Sequence, residues 1–192
     1  MKNSLRKIVL AAMMTVAPLA AGEYTFDTDS LLGIEGSYSE TSVDASNGGI
    51  VTNDKEAASL GFKIGAQSEN YRVFLSARAY DAENLSYLNT YGAELQYLFN
   101  FSKFANFYLG GNAGLARYKK PTDTISASVD GDSLYYGGDA GFNIHATELI
   151  DLEIGARIIS IQDGEIEQGL NTYEFDRIVS AYASVIIKWD MD

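Results

Sequence analysis

The chain has no cysteine and one histidine, and its 14 lysines and arginines are outnumbered by 26 aspartates and glutamates. Without cysteine there is no disulfide framework and no thiolate chemistry, and lone His145 has no second histidine with which to hold a transition metal. The net charge of -12 argues against nucleic acid and against anionic lipid as electrostatic partners. Long apolar runs are scarce too. Only Ile8 to Leu19 comes near the required composition, and at about a dozen residues it is too short to span a bilayer as a helix.

That stretch has another reading. Lys2, Arg6 and Lys7 precede it and Leu19-Ala20-Ala21-Gly22 follows it, the order of a cleavable secretory signal. The expected division is a signal peptide over residues 1–22 and a single barrel domain over 23–192. Removing the three leader cations leaves 11 of the 14 against 26 acids, a net -15.

What the rest has in abundance is alternation. The closing segment reads Val179, Ala181, Ala183, Val185, Ile187, Trp189 at every second position, and seven earlier segments do the same. The pattern predicts strands at 31–41, 57–67, 70–80, 88–99, 106–118, 133–145, 149–161 and 176–189. Long polar connections (42–56, 81–87, 119–132, 162–175) alternate with short ones near Ser68-Glu69-Asn70, Asn100 to Ala105 and Ala146-Thr147-Glu148. Long loops at one end and tight turns at the other mark an up-and-down barrel, with both termini on the turn side. The fold class is therefore all-β: an eight-stranded antiparallel up-and-down transmembrane β-barrel behind a cleavable signal peptide.

Periodicity alone does not say whether the apolar face meets lipid or a soluble core, so a periplasmic lipocalin-like barrel competes. The polar face favours lipid. It carries Gly61, Gly65, Gly92, Gly110, Gly114, Gly137, Gly141 and Gly155, and glycine inside a strand gives up packing and backbone entropy. A crowded lumen explains the choice, the small residues making room for Glu35, Lys63, Arg72, Arg78, Glu94, Gln96, Asn112, Asp139, Glu153, Arg157, Tyr182 and Lys188. The charges among them nearly balance, as charges withdrawn from water must. Counting from the turn end pairs Glu35 with Lys63, Asp139 with Arg157, and Glu94 with Arg72 or Arg78. Aromatics on the apolar face form two groups, Tyr71, Tyr97, Phe99, Phe107, Phe142 and Trp189 near the turns and Tyr38, Tyr91 and Tyr136 near the loops, as interfacial belts require.

With these features the chain resembles the small outer-membrane β-barrels of Gram-negative bacteria, the outer membrane protein A-like barrels and porin-like barrel domains. The resemblance implies a cell-envelope protein in the outer membrane, in contact with its lipid and lipopolysaccharide. It also implies insertion by the barrel assembly machinery through a terminal signal, which Trp189, Ile187 and Val185 resemble; Asp190, Met191 and Asp192 follow where the family ends on the aromatic.

No catalytic, cofactor or metal site is expected. Some barrels of this kind are lipid enzymes with a neighbouring His and Ser, but Ser160, the hydroxyl near the lumen of the next strand, belongs at the other end from His145. Gly110-Gly111-Asn112-Ala113-Gly114 lies in a strand and lacks the Lys-Ser or Lys-Thr of a phosphate loop. Asp163-Gly164-Glu165-Ile166-Glu167 and Asp130-Gly131-Asp132 lack calcium-loop spacing. An interior of eight strands is filled by side chains, so a large-solute porin is excluded. The expected role is structural and surface-interacting, with four acidic loops offered to an extracellular partner; the alternative is a narrow pore for ions or small solutes.

Overall fold

The computed structural model describes residues 28–46, 50–82, 87–120, 129–162, 165–168 and 171–190. The expected signal peptide and its boundary near residue 22 lie outside these residues, as do the tips of the four long connections. The strands are β1 (Asp29–Ser46), β2 (Ile50–Gln67), β3 (Tyr71–Ala82), β4 (Tyr87–Asn100), β5 (Ala105–Lys120), β6 (Val129–His145), β7 (Ile150–Ile161), β8 (Glu165–Gln168) and β9 (Asn171–Asp190). Each pairs antiparallel with its neighbour, and β9 returns to β1.

Nine strands make an eight-membered ring because β7 and β8 are successive pieces of one wall strand. Both pair with β9, β7 through Ser160 opposite Arg177 and β8 from Glu165 opposite Glu174, the break between them being a slip in register. The ring can be walked. Leu31 faces Gly65, which faces Phe74, then Glu94, Asn112, Gly137, Ile159 and Ile178, and Ile178 faces Thr41, ten residues up the starting strand. Eight strands staggered by ten residues tilt about 40° from the barrel axis and leave an interior that side chains can fill.

The strands at the loop end run further than alternation predicts. Residues 42–46 and 50–56 were expected in a loop and instead continue β1 and β2, and 171–175 continue β9. The reason is physical: backbone pairing needs no apolar face, so the ladder goes on where the sequence loses the apolar phase of the wall. The turn ends stay tight. Ser68 N donates to Tyr71 O at 2.8 Å, and Ala146 N and Thr147 N donate to Ile150 O at 3.0 Å.

The outer wall carries the apolar phase. Leu60, Leu75, Leu95, Leu109 and Ile154 are each more than half exposed. Tyr38, Tyr91 and Tyr136 stand on this face toward the loops; toward the turns Tyr71, Tyr97, Phe99, Phe107 and Phe142 form a run of ring contacts with centroids 4.8–5.8 Å apart. From Tyr91 to Phe99 is about 20 Å along the axis, close to the apolar height of barrels that span membranes. Between the belts every outward residue is apolar, alanine, glycine or tyrosine. Outward charge begins loopward of them, at Glu40, Glu56, Asp81, Arg117 and Arg177, all exposed.

Candidate functional site: the charge-packed lumen

The inward phase of the same strands brings the charged residues together in the turn-side half of the lumen. Glu35 is buried at the centre of three cations. Arg157 grips it with two bonds, Nη1 to Oε1 at 2.7 Å and Nη2 to Oε2 at 3.0 Å. Arg78 Nε donates to Oε1 at 2.7 Å, and Lys63 Nζ lies 3.5 Å from Oε2. Arg78 also bonds Glu94, whose other oxygen is 3.6 Å from Arg157. Glu153 accepts from Lys63, Arg72 and the Ser184 hydroxyl, so one connected network links β1, β2, β3, β4, β7 and β9.

Aromatic rings complete the cradle. The Arg157 guanidinium lies 4.3 Å from the Tyr182 ring centroid, and that of Arg72 is 5.0 Å from Phe74 and 5.2 Å from Tyr108. Three buried acids, Glu35, Glu94 and Glu153, pair with four buried bases, Lys63, Arg72, Arg78 and Arg157, while Asp139 is buried beside them and Asp151 nearer the turn-side mouth. Losing water costs several kcal/mol per ion, and only such multiple pairing offsets it.

One expected pairing comes out differently. Asp139 and Arg157 face each other in register, yet Arg157 turns to Glu35 and Glu94. Asp139 instead accepts from Gln96 Nε2 at 2.6 Å and Asn112 Nδ2 at 3.3 Å, with the Tyr182 hydroxyl at 3.5 Å. The physical reason is reach: a guanidinium on a long stem finds a carboxylate across the lumen that meets both its nitrogens in plane. Of the two arginines considered for Glu94, Arg78 takes it, while Arg72 Nε donates to Gln96 Oε1 at 2.8 Å.

Lys188 lies apart from the network, at the turn-side mouth, with its Nζ 2.9 Å from Asp151. Asp151 also meets His145 Nδ1 and Asn143 Nδ2, each at 2.8 Å, which gives His145 a structural partner. Ser160 stands at the other end of the β6–β7 ladder, opposite Tyr136. It falls between buried Ile159 and Ile161, so it belongs to the outer phase and not to the lumen as expected. Trp189, Ile187 and Val185 stand in the outward phase of β9. The side chains of Asp163 to Glu167 and of Asp130 and Gly131 lie outside those described.

Apart from Tyr182, the apolar inward residues went unread in the sequence. Loopward of the charged layer, Tyr80, Leu88, Ala116, Tyr118, Tyr135, Ile159, Ile161 and Ile178 form a buried cluster across β3 to β7 and β9. Turnward, Leu31, Phe74 and Ile186 form a second, and Leu98, Tyr108 and Tyr182 a third. Their signal was parity: each is an even number of residues from a polar lumen residue on its own strand, a charge on most strands and Asn112 on β5. The glycines make room chiefly for these rings. A Cβ at Gly92 or Gly114 would run into Tyr135, and one at Gly141 or Gly155 into the Tyr108 hydroxyl.

An antiparallel barrel with ion pairs and glycines inside and hydrocarbon outside has the polarity of a membrane-spanning wall, not of a soluble core. No family model matches this chain, and no curated protein matches it in sequence. Solved structures do match in fold. Neisserial surface protein A aligns with 82% of this chain and 97% of its own at 16% identity, TM-score 0.62. Outer membrane protein H of Pseudomonas aeruginosa aligns with 84% and 99% at 14% identity, TM-score 0.55; the N-terminal barrel domain of OprF from the same organism aligns with 83% and 97% at 14% identity, TM-score 0.52. The fold is that of the small outer-membrane barrels.

Proposed function

We propose that this protein spans the outer membrane of a Gram-negative bacterium as a closed, charge-packed anchor that presents its four long connections to the outside, without forming a pore. The observation that carries the reading is the apolar cluster around Tyr135, Ile159 and Ile178, which stands between the charged layer and the loop-side mouth. An ion crossing there would exchange its water shell for a few hydroxyls, those of Tyr80, Tyr118, Tyr135, Thr90 and Ser133, set among leucine and isoleucine, too few to replace its hydration. The uncharged outer wall supports the membrane over the periplasmic, lipocalin-like alternative.

The order of residues 1–22 supports export, and the outward alternation ending at Trp189, with Ile187 and Val185, supports recognition by the barrel assembly machinery. Lipid and lipopolysaccharide are the surroundings this predicts. The acids concentrated in the long connections point to a cationic or cation-bridged surface as the extracellular partner.

The test is cell fractionation with gel migration before and after heating, followed by planar-bilayer recording of the folded protein. The expected result is an outer-membrane band whose migration shifts on heating and a bilayer without steps of conductance. A soluble periplasmic band would overturn the placement, and conductance altered by Arg78 or Arg157 substitution would replace the anchor by a pore. If protein with shortened connections kept every surface phenotype, the interaction role would fall.

A further inference from the structure

The outer wall is not evenly covered. Ala77 and Ala79, the outward residues of β3 on the loop side, lie between Leu60 and Phe62 of β2 and Tyr91 of β4. They floor a groove of about 440 Å³ that Asn89 borders at its loop-side end. Arg78 also lines it, although its side chain turns into the lumen to Glu35 and Glu94. The groove lies within the charge-free band, and Asn89 stands just loopward of the tyrosine belt, level with the first outward charges.

From this we infer that the groove seats one acyl chain of a lipid from the loop-side leaflet, with the Asn89 amide meeting the ester or hydroxyl oxygens at the head of that chain. The inference rests on the membrane reading above, and the occupant follows from position: a slot facing hydrocarbon, open along its length and polar only at the interface, fits a chain with a polar head. A second copy of the barrel would need a broad complementary face, whereas the floor of this feature, Ala77 and Ala79, is one strand wide between Leu60, Phe62 and Tyr91, with Ile34 of β1 at its far edge. Hydrophobic transfer contributes nothing here, since a chain that leaves the groove enters more hydrocarbon. What favours occupancy is dispersion against a wall already shaped by its neighbours, together with the Asn89 hydrogen bond.

The experiment is native mass spectrometry of the folded barrel released from bilayers of dimyristoylphosphatidylcholine, with bound lipid counted per barrel. Wild type is expected to keep one lipid. Ala77→Leu with Ala79→Leu fills the slot and is expected to lose that adduct, whereas Ala113→Leu with Ala156→Leu, outward in the same band on β5 and β7, is expected to keep it. Asn89→Leu is expected to weaken retention several-fold without changing the fold. Equal retention by the filled and control variants, both inserted and heat-modifiable, would overturn the groove alone. A barrel that never enters the bilayers would overturn the membrane reading and the groove with it.

Discussion

The two halves of the lumen are filled with opposite materials. Toward the turns, seven buried charged groups hold one another across five of the eight wall strands, above the smaller clusters of Leu31, Phe74 and Ile186 and of Leu98, Tyr108 and Tyr182, whereas toward the loops the same wall closes over tyrosine, leucine and isoleucine. Both halves hold the barrel in one shape, but by different physics. The charged half gains from long side chains that cross the interior and tie strands distant in sequence, as Glu35 and Arg157 tie β1 to β7. It fails abruptly when one member is removed, because the others stay buried without a counter-charge. The apolar half depends on filled volume and should fail in proportion to what is cut away.

The sharpest way to break this contrast is Glu35→Gln, which keeps the shape and deletes the charge that faces Lys63, Arg78 and Arg157. The expected loss is about 3–5 kcal/mol, the usual cost of stranding buried charge. It is to be measured by urea unfolding of the barrel in lipid vesicles; a loss below 1 kcal/mol would mean that the interior is wet enough to screen the pairs. Gly92→Ala tests where the halves meet, since its Cβ would strike the Tyr135 ring and hydroxyl and the Ala113 carbonyl. Overpacking of that kind costs about 1–3 kcal/mol. Adding Tyr135→Phe should recover part of the loss, and a double variant no better than the single one would move the strain to the backbone contact. Smaller again is Ile159→Val in the apolar cluster, expected to cost about 0.5–1.5 kcal/mol by the same measurement and to leave the bilayer silent.

How much of this was readable beforehand differs between the faces. Alternation identified the outer wall well, because at positions such as Leu60, Phe62 and Ile64 one face meets hydrocarbon and every second residue must be apolar. The strand ends were read short at Ser46 and Ile50, where the sequence loses the wall's apolar phase although the backbone goes on pairing. Inside, the charges were visible because a charged residue in the phase opposite an apolar face has few places to go. The apolar cluster was not, since Ile159 and Ile178 look like wall residues until their parity is set against Arg157 and Tyr182. Which charge pairs with which was the least legible. Register brings Asp139 and Arg157 face to face, but a guanidinium on three methylenes reaches past its neighbour, and sequence spacing does not encode that choice.

That choice supplies the smallest predicted effect and the finest test of how the charged half is wired. In double-mutant cycles with Gln or Asn replacing the acid and Met replacing the arginine, Glu35 and Arg157 should couple by about 3 kcal/mol, the upper end for contacting groups, because two hydrogen bonds and a charge are lost together. Asp139 and Arg157 should couple by only about 0.5 kcal/mol, although their strands are adjacent, because the Asp139 carboxylate is satisfied by the amides of Gln96 and Asn112. If the two couplings were equal, the network would act as a diffuse cloud of charge whose partners are interchangeable. If the order holds, the lumen is wired by geometry, with Glu35 as the junction through which β1, β2, β3 and β7 are tied.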